Sequence, residues 1–539
     1  MFNPLSGKMI KKIIISFFVA FNVASLTAQD AVIKLWADQQ VFITGEDMWV
    51  DGILQHASPI SKTMHIQLLD RNGNKKAETI VLMNGNQFNA FISLPSNLAS
   101  DYYFLDGYNE GLKSKTSLYP VMIINPKSAP SLGCSVSPNK TTTVSSQINI
   151  YSDKETYQPR ADVKLTLSGL TNISKGYVSV VRIDQLSKVY EEASNGFNLE
   201  TSHHENTQVD DEGKVFTATV SKNGKPAVSV PVLASLKGSP AVLSISNSNE
   251  QGELRFLFPF KYDASEIILH PLNNEKGFSF ESTSSKPVGT INFTCLKLDE
   301  KLKEDIEARM MHLNVGKQFY ADMNRVIKNN EIDTTDFYGK PDARYYLDDY
   351  VRFPNMEEVL AEIISEVRVK KEKDLVMLQV LNIPFKFFFN NEGLILVDGV
   401  PYFNTKELLE SDPLMIKSID VVNRKYILGD HEFDGIVHFK TYRNDMGSMR
   451  LSDLDKSFSI NGLQKNTFLN PAFAVGNTSK MPDMRNIVFK KNDILSDFRG
   501  SATMEFKLSD AIGNYSIILR GIDKEGNPTV VSKNIVVAK

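Results

Sequence analysis

Cysteine is nearly absent. The 539 residues hold two, Cys134 and Cys295, too few for a disulfide framework or a thiolate zinc site. An oxidising compartment would let them pair if they met, but sequence does not fix their proximity, so both states stay open. A dominant charge is lacking as well: 60 Lys and Arg stand against 64 Asp and Glu. That balance argues against nucleic acid, which needs a concentrated basic face. After the first thirty residues no apolar run is long enough to cross a bilayer as a helix, so no integral membrane segment is expected. Gly-x-Ser-x-Gly, His-Glu-x-x-His and phosphate-cradling glycine loops are all missing. Catalytic residues, cofactors and metal ligands are therefore expected to be none, and the chain is not expected to be an enzyme.

What is present begins with Lys8, Lys11 and Lys12, the apolar run Ile13 to Leu26, and Thr27-Ala28-Gln29. This is the layout of a secretory signal peptide over residues 1–29, cut near Ala28 or Gln29. The run is shorter than the roughly twenty residues of a spanning helix. Loss of the three lysines leaves 57 basic against 64 acidic side chains, a net charge of -7. The expected location is the periplasm or the outer membrane, with the cell surface open.

At roughly 100–200 residues per domain, several domains are expected. Residues 30–125 read as strands: Val32 to Trp36, Asp47 to Val50, His65 to Asp70 and Phe88 to Leu94, separated by turns such as Asn72-Gly73-Asn74 and Asn84-Gly85-Asn86. A Ser, Thr and Pro-rich linker follows from Pro126 to Ser146. The opening phrase then returns. Ile33 to Phe42 followed by Gly45 to Val50 matches Ile148 to Pro159 followed by Val163 to Leu167: strand, Asp-led turn, aromatic, kink, strand. Two copies suggest a tandem β-domain. The phrase resembles the opening of macroglobulin-like domains, the immunoglobulin-like units of the alpha-2-macroglobulin family. That family's thioester motif has no counterpart, since Cys134 lies in Gly-Cys-Ser and Cys295 in Thr-Cys-Leu. Protease trapping by that chemistry is therefore not implied.

The second copy is assigned to 147–213, its polar stretch 185–213 with His203-His204 read as a solvated loop. Residues 214–290, with the turn Asn223-Gly224-Lys225-Pro226, resemble a carboxypeptidase-regulatory module. Helical spacing marks Leu298 to Leu313, Val315 to Ile327, and Asn355 to Ile364 with acids in its first turn. Residues 470–539 read as a C-terminal immunoglobulin-like β segment.

Within 296–445, residues 394–441 run as a buried strand, the turn Asp398-Gly399-Val400-Pro401, a short helix to Asp412-Pro413, and the strands Ile416 to Val422 and Ile436 to Thr441. This succession is similar to the plug domain of TonB-dependent outer-membrane transporters, especially the starch-utilisation type of Bacteroidetes. Only 98 residues follow Thr441, short of a transporter barrel. Asp398, Gly399 and Pro401 are expected to form a structural turn, because nothing places a base or nucleophile beside Asp398. His431 and His438 are expected at surface and sheet positions. Tyr402 and Phe403, next to the turn, are the candidate partner-docking residues, with packing into the domain's own core as the alternative.

The expected fold class is mainly β with one α+β domain: tandem immunoglobulin-like or macroglobulin-like β-sandwiches plus a plug-like α/β domain. The expected function is a non-enzymatic exported binding or scaffold protein that docks to a protein partner in the cell envelope. Two alternatives stand beside it: a plug or accessory subunit of an outer-membrane translocon, and a thioester-less macroglobulin relative that binds proteases or peptides.

Overall fold

The computed structural model describes residues 31–539 except 59–61, 110–111, 128–147, 195–200, 205–212, 260–265, 274, 283–288, 292, 321–322, 324, 329–334, 374, 471–472 and 477–478. The expected signal peptide, most of the expected linker and Cys134 lie outside the described residues. The described residues are mainly β, arranged as three β-sandwiches and one α/β unit.

In the first sandwich, Ala31–Ala37 pairs antiparallel with Asp47–Gln55, which pairs in turn with Gln87–Ser93. The short strand Val41–Ile43 leaves this sheet and joins the facing one, parallel to Tyr119–Ile124. Ile33, Leu35, Phe42, Met48, Leu54, Ile66, Leu68 and Tyr103 fill the space between the sheets. Alternation of inward apolar residues on both faces is what closes such a sandwich.

The repeated phrase folds the same way a second time. Asn149–Ser152 pairs antiparallel with Asp162–Ser168, while Thr156–Tyr157 crosses to lie parallel to Pro528–Val537. Asp153 fixes the crossing: its carboxylate accepts from Tyr157 Oη at 2.7 Å and from the Lys164 amide at 2.8 Å.

That pairing corrects the expected boundaries. Residues 147–213 and 470–539 are not two separate segments, because 149–183 and 487–537 form one sandwich. Asp162–Ser168 pairs with Ala502–Lys507, and Ile173–Ile183 lies between Ile487–Lys491 and Gly513–Asp523. The reason is apolar area. Val163, Leu165, Leu167, Val178 and Val180 are buried against Met504, Phe506, Tyr515, Ile517 and Leu519, which arrive from more than 300 residues away. Everything from about 184 to 486 is an insertion in this second sandwich.

The insertion opens with a helix, Gln185–Ser194, and a strand, Thr201–His204, where a solvated loop was expected. The strand adds to the first sandwich through Ser114–Ser117. Ser202 Oγ and His204 Nε2 both reach the buried carboxylate of Asp106, at 2.5 and 2.9 Å, which holds the segment in place. The third sandwich pairs Gly213–Lys222 with Glu253–Pro259 and Phe278–Ser282, facing a sheet of Val242–Asn247, Pro231–Leu236 and Glu266–Pro271. Its last strand, Lys456–Ser459, comes from beyond the α/β unit, so this module does not close at 290.

One helix, Lys303–Phe319, replaces the two expected over 298–327. Ile306, Met310 and Leu313 lay it on Ile43, Tyr102, Phe104 and Phe293 outside the first sandwich. Beyond it, Arg325–Lys328 is a strand paired with Asn466–Leu469. Val326 and Ile327 fit helical spacing, but strand pairing overrides that local preference. No described helix is long and apolar enough to cross a membrane.

Candidate functional site

The α/β unit is built on a five-stranded sheet in the order Ala343–Tyr346, Ile416–Val422, Ile436–Thr441, Leu394–Val397, Val400–Pro401. Helix Met356–Glu362, capped by the Asn355 side chain, and helix Thr405–Glu410, capped by Asn404, cover it. Leu394–Val397 and Val400–Pro401 form a hairpin whose two loop residues are Asp398 and Gly399. Both have positive φ, 47° and 82°, as a type I′ turn requires.

Asp398 is buried, and its carboxylate accepts three hydrogen bonds. It accepts from the Thr441 amide (2.8 Å), Thr441 Oγ1 (2.6 Å) and the Met446 amide (2.9 Å), which ties the end of the last strand to the turn. Its partners are two backbone amides and one threonine hydroxyl, a set that holds the turn. The turn also joins two modules. Gly238 of the third sandwich donates its amide to the Asp398 carbonyl at 2.9 Å. A Cβ on Gly399 would stand 2.9 Å from the Gly238 carbonyl oxygen and 3.1 Å from Ala241 Cα. Leu233, Ala241 and Leu243 of the sandwich share one apolar cluster with Leu394, Leu396, Val422 and Ile436. Gly399→Val is therefore expected to cost about 2–4 kcal/mol, from left-handed backbone plus the clash. Chemical denaturation of the two proteins measures it.

Tyr402 and Phe403 are not the exposed pair that docking would need. Tyr402 is 5% exposed and packs in the unit's own core with Val400, Leu408 and Phe439. Phe403 stacks on His270 of the third sandwich at 3.9 Å between centroids. His270 is itself pinned, its Nδ1 lying 2.5 Å from Asp455 Oδ1. A second module covers the ring, and no local pattern reveals that.

Beside the turn lies a buried polar network. Asp336, Asp420 and His438 bring possible ligand atoms within 4.8 Å of one another. Cationic side chains already occupy the position a metal ion would need. Lys440 Nζ is 2.7 Å from Asp336 Oδ2 and 2.9 Å from Asp420 Oδ2, and Arg344 holds Asp420 with both Nε (2.5 Å) and Nη2 (2.7 Å). His438 is used on both sides: Nε2 accepts from the Gly399 amide at 3.0 Å, and Nδ1 is 2.7 Å from Tyr338 Oη. Nε2 being an acceptor, Nδ1 carries the proton, donating to Tyr338, whose hydroxyl turns to Asp420 or Asp336. Burial pushes the His438 imidazole down to about 3, so it stays neutral. Lys440 and Arg344 hold the Asp420 carboxyl below the usual range despite its burial. The network is charge-balanced and braces the sheet. His431, in contrast, sits half-buried in the small hairpin Tyr426–Leu428/His431–Phe433.

The exposed aromatics of the unit lie elsewhere. Leu375–Asn382 ends in a 3₁₀ turn, Ile383–Phe385, followed by the edge strand Phe387–Phe388. Ile383, Phe385 and Phe387 are 45%, 74% and 50% exposed, with ring centroids of Phe385 and Phe387 6.3 Å apart. Phe389 anchors the loop in the core, and Arg368 lies over the Phe388 ring at 4.2 Å. The run Ile-Pro-Phe-Lys-Phe-Phe-Phe was visible in the sequence, but four phenylalanines in five residues look like core.

No protein-family model and no curated protein matches the sequence. Among solved structures the chain is similar to bacterial alpha-2-macroglobulins. Salmonella alpha-2-macroglobulin reacted with methylamine is 8% identical, with a TM-score of 0.24 over 96% of this chain and 40% of that one. The native conformation of E. coli alpha-2-macroglobulin is 9% identical, with the same score and coverage. The form activated by porcine elastase is 7% identical, with a TM-score of 0.23 over 94% of this chain and 44% of that one. The chain thus spans less than half the length of these proteins. At such scores no residue here takes a role from them.

Proposed function

We propose that this chain is an exported, non-enzymatic scaffold of the cell envelope that docks a protein partner through the loop Ile383–Phe388. The observation that carries this is the cluster of three exposed apolar side chains, Ile383 and Phe385 in the 3₁₀ turn and Phe387 on the edge strand that follows it. Aromatic anchors of this kind dominate binding energy where they are desolvated, and an unpaired edge offers backbone hydrogen bonds to a partner strand. Docking thereby stays with the α/β unit but moves from Tyr402 and Phe403 to this loop. The turn at Asp398 and the shared apolar cluster hold the unit rigid against the third sandwich, as a docking platform needs. Export is supported by the N-terminal pattern and by Cys295, which is disulfide-bonded; the other cysteine, Cys134, lies outside the described residues.

The double substitution Phe385→Ser with Phe387→Ser tests this. Exposed in the turn and on the edge strand, these residues are expected to change stability by less than about 1 kcal/mol. Recovery of the partner from crosslinked envelopes is expected to fall at least roughly tenfold. Undiminished recovery by the folded variant would remove the loop from the docking surface.

A further inference from the structure

A cleft of about 370 Å³ opens where the first sandwich, the helix Lys303–Phe319 and the returning segment near 484–487 meet. Such a volume suits a small ligand or a single side chain. Beside the donors Trp49, Tyr320 and Arg485, three side chains of its buried lining offer acceptors. Gln39, 7% exposed, donates Nε2 to Glu46 Oε2 at 3.3 Å and leaves its buried Oε1 without a partner. Glu46, 8% exposed, also accepts the Ile43 amide on Oε2 at 3.1 Å, so Oε1 is its unused oxygen. His312, 6% exposed, points Nδ1 at Asn486 Oδ1, 3.0 Å away. With Nδ1 donating, Nε2 is an acceptor.

Three acceptors with spare capacity call for a donor-rich ligand, since a buried acceptor left unpaired costs on the order of 1–3 kcal/mol. A primary ammonium carries three N–H donors and no acceptor. The other cations of the cleft do not meet the need. Arg325 is paired with Asp47 and Arg485 with Asp483, while Arg309, outside the lining, is held by Asp184 and the Val41 carbonyl. Lys317, on the exposed rim, has its Nζ near Gly45.

We propose that this cleft binds a primary ammonium group, carried by a lysine side chain or by a small alkyl diamine. The assignment is independent of the docking loop. Burial holds the Glu46 carboxyl up, to about 7, against the pull of Arg309 and with smaller upward pushes from Asp184 and Asp47. An entering cation favours the carboxylate, so binding at neutral pH releases a proton from Glu46.

Calorimetric titration of the full chain with 1,5-diaminopentane and with N-acetyl-lysine amide, and with pentanoate as the opposite charge, tests the site. At least one amine is expected to bind, with a heat that changes with the buffer's ionisation enthalpy, and pentanoate is not. Tighter binding of the lysine derivative assigns the source to a polypeptide, and tighter binding of the diamine to a free amine. Glu46→Gln keeps an oxygen for the Ile43 amide and is expected to weaken binding roughly tenfold or more and abolish the buffer dependence. Gln39→Leu is expected to weaken it comparably. The proposal fails if pentanoate binds as well as the amines, if both variants bind like the parent, or if neither amine binds by about 10 mM.

Discussion

A polypeptide that joins residue 147–183 directly to residue 486–539 through about four glycine and serine residues is expected to fold cooperatively by itself. The two ends already meet: Val181 lies opposite Ile487, and the Arg182 amide donates to the Asn486 carbonyl at 2.8 Å. A chain that stops at 486 is expected to lose the second sandwich altogether. It would leave Ile173–Ile183 without either neighbour and Asp162–Ser168 without Ala502–Lys507. The whole stability of that domain, on the order of 5–15 kcal/mol, is at stake. Denaturation monitored at Tyr177, whose ring packs edge-on against Trp36 at 5.1 Å, follows it in the longer chain. A cooperative second-sandwich transition surviving in the truncated protein would show that the two halves are separate after all.

The next largest effect belongs to Lys490, which links the first and second sandwiches. Its Nζ, almost wholly buried, lies 2.9 Å from Asp38 Oδ2 and 2.8 Å from Asp51 Oδ2. One ammonium serves two carboxylates. Asp51 also accepts from Asn89 Nδ2 at 2.5 Å and Asn492 Nδ2 at 3.2 Å, while burial holds Asp38 up, to about 6. Lys490→Met leaves both acids without their cation, at a cost of about 3–5 kcal/mol at pH 8. The sign of the pH dependence follows from Asp38. Its folded value lies above its unfolded one, so the native state binds the extra proton, and stability rises as pH falls through about 6. Without Lys490 the Asp38 carboxyl rises further, and the deficit of the variant should shrink between pH 8 and pH 5. Denaturation midpoints at both pH values measure this. A deficit equal at the two, or absent, would mean that the acids are not buried against this lysine.

What was legible in the sequence was local. The strand, Asp-led turn, aromatic and kink of the first two sandwiches lie within about twenty residues of each other, and each copy adopts the same crossing between sheets. The Asp398-Gly399 hairpin was legible because only a few residues tolerate positive φ at both loop positions. What depended on distant chain was not legible. Nothing near Leu167 says that Ala502 will lie beside it, nor that Lys456–Ser459 completes a sheet begun at Pro231. The same holds for side chains. Phe403 looks exposed until His270 arrives from another module, and Gln39, Glu46 and His312 share a cleft only because the helix packs on the first sandwich. Their one sequence signal is Glu46 beside Gly45 in the kink, which reads equally well as turn chemistry.

Site-specific photocrosslinking in living cells tests the docking proposal most directly. A benzophenone amino acid replaces Phe385 in one protein and Phe498, 90% exposed on the second sandwich, in another. The expected result is a discrete adduct with one envelope protein from position 385 and none from 498. An adduct from 498 alone, or equal labelling from both, would contradict docking through the Ile383–Phe388 loop.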